Sequence, residues 1–238
     1  MSCIWLTRPQ ADSASIAAAL TARGIASCIA PVMRIAPLPF EPPAAAPDAL
    51  LLTSRHAVPA LPRHWQHLPV FCVGAATAEA VRAQDFRNLH VGPGDLLQLL
   101  PLIVQTLTNG QSLLYLSGED IQLDPAPLLA MQQIHCTRIA VYEAVAEAML
   151  PSFLRMRLEA GDITGAAFFS ARSARLACRL LVEEGLAAHA AQMDAYCLSL
   201  PVAEAAGALP WRRVHASHIP TREAMLEMIA SLAGQIAS

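Results

Sequence analysis

The sequence predicts an α/β protein built as two similar parallel-sheet lobes, and three observations point there. Short apolar, strand-like runs alternate with Ala-rich helical stretches along all 238 residues, the pattern of strands joined by helical crossovers. One half of the chain also echoes the other. Cys72-Val-Gly-Ala-Ala-Thr-Ala-Glu-Ala80 returns 125 residues later as Cys197-Leu-Ser-Leu-Pro-Val-Ala-Glu-Ala205, and His90-Val-Gly92 as His215-Ala-Ser217. At shorter offsets Trp5-Leu-Thr-Arg8 answers Tyr115-Leu-Ser-Gly118, Arg34-Ile-Ala36 repeats as Arg138-Ile-Ala140, and Thr53-Ser54 answers Phe169-Ser170. A solenoid would repeat every 20–50 residues or so, so offsets this long indicate two like domains. Finally, halves of about 110 residues can each bury a core. Two like lobes offer a cleft for one small ligand.

The elements follow in chain order as short apolar runs set between turn residues. Cys3–Thr7 is the first strand; Asp12 is the expected N-cap of a helix running to Arg23, with Gly24 as its stop. Strands are expected over Ala49–Thr53, Pro69–Val73 and Asn88–Val91, with helices near 55–62, 75–84 and 94–108. The first and last of these helices carry Pro59 and Pro101. Further strands are expected near 112–117, 134–145, 164–169, 194–198 and 211–217, and helices near 125–133, 150–160, 171–184, 201–207 and 220–236.

Two segments break the alternation. Ile35-Ala-Pro-Leu-Pro-Phe-Glu-Pro-Pro43 is too proline-rich for a central strand, because proline cannot donate to the ladder. It reads as an extended linker. Arg138-Ile-Ala-Val-Tyr-Glu-Ala-Val145 is a second, longer extended run. A single crossing near residue 110 would need one linker; two extended segments suggest that the chain crosses twice. Spacing alone leaves both orders open.

Composition removes several classes of function. No lysine occurs, and all sixteen basic side chains are arginine. Schiff-base chemistry, pyridoxal-phosphate attachment, the phosphate-loop lysine and the kinase lysine are thereby excluded. Any anion must be held by arginine, hydroxyls or backbone N–H groups. The net charge of −3 and the absence of a basic stripe argue against a nucleic-acid partner. No apolar run approaches the roughly 18 residues that span a bilayer, and Met1–Arg8 lacks a signal-peptide pattern. A cytoplasmic protein without membrane contact is expected. The six cysteines form no Cys-x-x-Cys pair and read as buried free thiols. His64-x-x-His67 and His215-x-x-His218 lack a further ligand at metal spacing, so no metal site is expected.

Three strand ends carry small hydroxyl or glycine residues just before a helix: Thr7-Arg8-Pro9, Thr53-Ser54-Arg55 and Gly74-Ala-Ala-Thr77. Ligands of parallel sheets bind at such carboxyl ends, where helix N-termini offer N–H groups to anions. A Ser or Thr there also serves as an ordinary helix cap. Gly92-Pro-Gly94-Asp95 reads as a turn, and no Gly-x-Gly-x-x-Gly, phosphate loop or Gly-x-Ser-x-Gly elbow is present. The expected site is polar, hydroxyl-lined and metal-free.

Together these residues resemble the uroporphyrinogen-III synthase family. The resemblance rests on Leu6-Thr-Arg-Pro9, Leu52-Thr-Ser-Arg-His-Ala-Val58, Val73-Gly-Ala-Ala-Thr-Ala78, Val141-Tyr-Glu143, Phe168-Phe-Ser170 and Ala216…Pro220-Thr221. It implies two flavodoxin-like parallel-sheet lobes joined by a two-stranded β linker. One lobe would comprise residues 1–34 with 146–238 and the other 41–137, with linker strands at 35–40 and 138–145. It further implies a cofactor-free, monomeric enzyme that closes hydroxymethylbilane into uroporphyrinogen III with inversion of ring D. Tyr142 maps to the family's proton-donating tyrosine; as a bland alternative it packs in the linker. The carboxylate-rich substrate implies binding by Thr7, Arg8, Thr53, Ser54, Arg55, Gly74, Thr77, Ser117, Gly118, Ser170, Arg172, Ser199 and Thr221.

Two departures stand out. Ser117 replaces an arginine often found at that turn, and Ser199-Leu-Pro-Val202 lacks a hydroxyl equivalent to Thr77. A non-catalytic binder of an anionic tetrapyrrole, or an unrelated enzyme acting on a small phosphorylated substrate, are the rival readings.

Overall fold

The computed structural model describes residues 3–234. Along the chain run β1 (Cys3–Leu6), α1 (Gln10–Thr21), β2 (Ala26–Ile29), β3 (Met33–Pro37), β4 (Ala49–Leu52), β5 (Val70–Cys72) and α2 (Ala75–Arg82). They are followed by β6 (Leu89–Val91), α3 (Leu96–Thr106), β7 (Ser112–Gly118), α4 (Ala126–Ala130), β8 (His135–Ala146), α5 (Ser152–Glu159) and β9 (Gly165–Phe168). The chain closes with α6 (Ala171–Glu183), β10 (Asp194–Cys197), α7 (Leu200–Ala206), β11 (Arg213–Ala216) and α8 (Arg222–Gly234). Single 3-10 helices occupy Arg55–Ala60, Arg63–Trp65 and Ala187–Gln192. Of the expected helix near 220–236, residues 235 and 236 lie outside the described residues.

The chain divides into two compact units, one taking residues up to Arg34 and from Val145 onward, the other Ile35–Ala144. The first contains a five-stranded sheet ordered β11-β10-β9-β1-β2, parallel at every ladder. Numbered within the unit this is 2-1-3-4-5, the flavodoxin order. Every residue of β1, β9 and β10 is buried, as expected of parallel strands covered on both faces. Ile4, Leu6 and Tyr196 of the sheet pack with Ile16 and Leu20 of α1 and with Met225 and Ile229 of α8. On α6, Ala174, Ala177, Cys178 and Leu181 form one buried stripe, and the helix packs against α7.

The second unit contains a six-stranded sheet ordered β3-β8-β7-β4-β5-β6. From β8 to β6 its ladders are parallel, in the order 3-2-1-4-5 within the unit. The Leu38 N–H donates to the Val141 carbonyl and the Glu147 N–H to the Val32 carbonyl. Advance along one strand is therefore retreat along the other, and β3 and β8 form an antiparallel pair. Leu50, Leu51 and Leu52 of β4 are wholly buried, and each such side chain contributes about 1.5–3 kcal/mol. Leu50 and Leu52 face a cluster with Trp65, Val81 and Phe86, while Leu51 joins Phe71, Leu99 and Ile103 on the other face.

Several elements differ from expectation. Asp12 lies inside the first turn of α1, whose cap position is Pro9, because proline begins a helix without losing a useful N–H. Gly24 does adopt the positive φ (74°) of a helix stop. Ala26–Ile29 is a strand that Ala-Ser-Cys-Ile does not announce; its register with β1 comes from tertiary pairing. The proline-rich segment contributes β3, and β3 takes the edge of the sheet, the place where a strand tolerates proline. The helix expected near 55–62 is 3-10, with Pro59 inside it.

Candidate functional site

In the second unit, the strand order reverses between β4 and β7, and crevices form at the carboxyl ends of strands flanking such a reversal. A cavity of about 580 Å³ opens there. Thr53 and Ser54 line it from the end of β4, Val73 from β5, Tyr115 and Gly118 from β7, and Tyr142 from β8. Gly94, Asp95, Leu96 and Leu97 line it from the start of α3, and Asp120–Leu123 form a further wall.

The placement of Tyr142 follows from an irregularity in pairing. Ser117 pairs with Ala140, but Gly118 pairs with Tyr142, so β8 carries one extra residue at this point. A bulge of this kind re-aims a side chain. A Cβ on Gly118 would lie 2.8 Å from the Tyr142 ring, so glycine is what lets the ring close over the end of β7. The ring also meets His56 edge-on, with centroids 5.7 Å apart. At the end of β4, Thr53 Oγ1 lies 3.0 Å from Tyr115 Oη in a shared hydrogen bond. Burial pushes the Tyr115 phenol up from its ordinary pKa, partly offset by the Thr53 hydrogen bond; nearby Tyr142 pushes it further up. The Ser54 hydroxyl accepts from the His56 N–H at 3.2 Å, which caps the following 3-10 helix. At α3, Gly94 has φ +108°, a conformation that favours glycine, and the Asp95 carboxylate accepts from the Gln98 N–H at 3.1 Å.

A guanidinium holds one wall of the cavity in place. Arg138 donates through Nε to Ser117 Oγ (2.9 Å), and through Nη2 to the carbonyls of Gly118 (2.7 Å) and Glu119 (2.6 Å). The arginine that Ser117 lacks in its own position is therefore supplied to the same turn by β8. The lining includes Asp95 and Asp120 but no basic side chain.

Of the expected site residues, Thr53, Ser54, Gly118 and Tyr142 share this cavity. Gly74 caps α2 beside Gly94, and Arg55 begins the 3-10 helix after Ser54. Thr77 sits in the first turn of α2, 7% exposed, and Ser117 points into the Arg138 cluster; neither lines the cavity. Reading turns alone missed Tyr115, Asp95, Leu97 and Asp120. The echo of Trp5-Leu-Thr-Arg8 in Tyr115-Leu-Ser-Gly118 marked the strand end that lines this cavity, but not the direction of Tyr115.

The remaining expected residues lie in the first unit. Thr7 and Arg8 follow β1, and Ser170 follows β9, its neighbour at that sheet's own reversal point. The Thr7 hydroxyl donates to the Ala167 carbonyl at 2.8 Å and ties β1 to β9. Arg8 pairs with Asp12 at 2.9 Å and lies over the Phe169 ring; its charge is partly spent locally. Ser170 caps α6 through the Ser173 N–H, and Thr221 caps α8 through the Ala224 N–H. Ser199 occupies the cap position of α7 without a side-chain hydrogen bond to it, and Arg172 is exposed in the first turn of α6.

Among the described residues, no group of three or more His, Cys, Asp or Glu is placed to hold a metal ion. His215 instead stacks on Tyr196 and faces Asp194 at 3.5 Å. All six cysteines are free thiols, and burial pushes Cys72, Cys136 and Cys197 up to about 12. Among the described residues no helix is long and apolar enough to cross a membrane.

The family model described as uroporphyrinogen-III synthase HemD matches residues 14–227. The chain belongs to the uroporphyrinogen-III synthase family, a family of porphyrin and haem biosynthesis. Among solved structures, the uroporphyrinogen-III synthetase of Helicobacter pylori aligns with 98% of this chain and 100% of its own, at 18% identity and a TM-score of 0.62. That likeness is one of fold. Wild-type uroporphyrinogen III synthase of Thermus thermophilus aligns over 100% of both chains at 16% identity, with a TM-score of 0.47. No curated protein matches the chain in sequence.

Proposed function

We propose that this chain is a lyase that cyclises hydroxymethylbilane to uroporphyrinogen III, inverting ring D and releasing water, as a cytoplasmic monomer without a cofactor. The observation that carries this reading is the family match over residues 14–227. The chemistry asks little of the protein in bond making. Pyrrole nitrogens push out the hydroxymethyl oxygen, leaving an azafulvene cation, and attack through a spiro intermediate exchanges the ring D attachment. The protein must fold the chain so that this attack outruns direct closure, which is catalysis by orientation. On this reading Tyr142 donates a proton to the departing oxygen. Thr7, Arg8, Thr53, Ser54, Arg55, Gly74, Thr77, Ser117, Gly118, Ser170, Arg172, Ser199 and Thr221 belong to the substrate-binding strand ends, with helix N–H groups taking the carboxylates.

The charge distribution refines the assignment. A cavity edged by Asp95 and Asp120 offers acceptors to pyrrole N–H groups and favours a developing cation. The reacting end of the substrate therefore suits this cavity, and its carboxylates suit the arginines and helix N-termini elsewhere. Incubation with freshly prepared hydroxymethylbilane, followed by separation of the isomers, tests the reading. Type III should dominate, whereas spontaneous closure gives type I. Only type I at high protein concentration would overturn the synthase assignment in favour of a tetrapyrrole-binding protein.

A further inference from the structure

We propose that Tyr115 is a second catalytic residue in this cavity, acting with Thr53 as a hydroxyl pair that delivers one proton to the oxygen leaving the substrate. The proposal rests on the synthase reading above. Tyr115 and Thr53 line the same cavity as Tyr142, and their oxygens are 3.0 Å apart. Either can donate to the other. Two hydroxyls hold two protons, and the bond between them uses one. Whichever group donates within the pair, the other keeps a proton that the cavity's occupant can take.

The setting makes this more than a packing contact. The phenol sits among buried apolar residues, with Tyr115 only 2% exposed, yet its hydroxyl meets the Thr53 side chain at the cavity wall rather than a backbone carbonyl. Burial keeps it protonated, with its pKa pushed above the ordinary value. It remains a far stronger acid than water, the conjugate acid of the leaving group. Tyr142 lies near enough to influence it electrostatically. Two phenols thus converge on one space from adjacent strands, β7 and β8.

The step balances as follows. The hydroxymethyl C–O bond breaks and its electron pair goes to oxygen. That oxygen takes the spare hydroxyl proton of the pair and leaves as water. The positive charge remains on the carbon conjugated to the pyrrole, and the pair is left as an oxyanion. After ring closure the attacked pyrrole carbon loses its proton, which restores the phenol.

Single-turnover rates with hydroxymethylbilane in Tyr115→Phe, Tyr142→Phe and the double variant test the proposal. If the two phenols substitute for each other at one oxygen, each single change costs kcat roughly tenfold or somewhat more, below the full general-acid range. The double variant then loses more than the product of the single losses, with KM and thermal midpoint near wild type. Thr53→Val should reproduce the Tyr115→Phe loss, and Thr53→Ser, which keeps the hydroxyl, should recover most of it. A Tyr115→Phe variant with wild-type kcat, or a double variant no slower than Tyr142→Phe, would overturn the role of Tyr115 alone. Wild-type protein that forms no type III isomer overturns this proposal and the synthase reading together.

Discussion

Tyr142 owes its position to two neighbours in the sequence of β7 and β8: the glycine it covers and the extra residue that turns it there. Replacing the phenol with Phe keeps the ring over Gly118 and removes only the oxygen. General-acid help is typically worth about 10²–10⁴-fold, but a leaving group already pushed by a pyrrole needs less. Tyr142→Phe should therefore lose roughly ten- to a hundredfold in rate while still making type III, as isomer analysis of the product would show. A switch to type I would mean that this residue, not the folding of the substrate, sets the isomer. Gly118→Ala acts differently. Its methyl group would sit 2.8 Å from the Tyr142 ring, so the ring must move. The expected result is a rate at or below that of Tyr142→Phe, with a lowered melting temperature that Tyr142→Phe does not show. Residue by residue, the sequence was legible where chemistry and turn coincide, as at Thr53, Ser54 and Gly118. It was opaque at Tyr115, because an apolar run gives no sign of which strand residue turns its polar tip toward a cavity.

At the scale of elements, the turn after β7 shows how a wall is held. Arg138 gathers the Ser117 hydroxyl and the carbonyls of Gly118 and Glu119. Arg138→Ala leaves those acceptors with water at best, and hydrogen bonds to a charged group contribute about 1.5–3 kcal/mol. The expected outcome is a lower denaturant midpoint together with a KM raised several-fold, since the freed segment continues into Asp120–Leu123 at the cavity. An unchanged KM would show that the clamp serves stability alone. Most elements were readable because apolar runs of strand length alternate with longer Ala- and Leu-rich stretches. The failures have specific causes. Ala26–Ile29 carries only one β-branched residue, so β2 depends on its partner β1. Asp12 imitates a cap but binds Arg8, and Pro9 had already fixed the start of α1. The proline-rich stretch was correctly kept out of the sheet interior, yet its first residues still pair along an edge.

Taken as a whole molecule, the chain keeps its thiols and two phenols in apolar surroundings, and this sets its behaviour in alkali. Burial pushes Cys72, Cys136 and Cys197 up to about 12, Cys178 to about 11 and Tyr196 to about 12. Groups whose folded pKa exceeds the unfolded one stabilise fully below the unfolded value, and that stabilisation is lost as pH rises through the folded one. The urea midpoint under reducing conditions should thus hold up to about pH 8.5, the ordinary thiol value, and fall steadily above it. Replacing Cys72 and Cys197 by Ala should flatten that fall; an unchanged slope would locate the alkaline weakness elsewhere. The echo between the halves made the pairing of two parallel sheets legible, but not their different strand orders, because order is decided by which edges pair and no local pattern encodes it.

The Thr7 hydroxyl bonds the Ala167 carbonyl across 160 residues of chain, and the ladder between β1 and β9 spans a similar interval. During synthesis, β1, α1 and β2 leave the ribosome with one flank of their sheet missing. At about 5–20 residues per second, the strand that completes them follows only after several seconds to half a minute. Residues 33–146 carry the whole six-stranded sheet in one continuous stretch and face no such wait. A segment made early is thus enclosed late. A slowly translated message would lengthen the time for which Ile4, Trp5 and Leu6, all buried in the finished protein, stand open to chaperones.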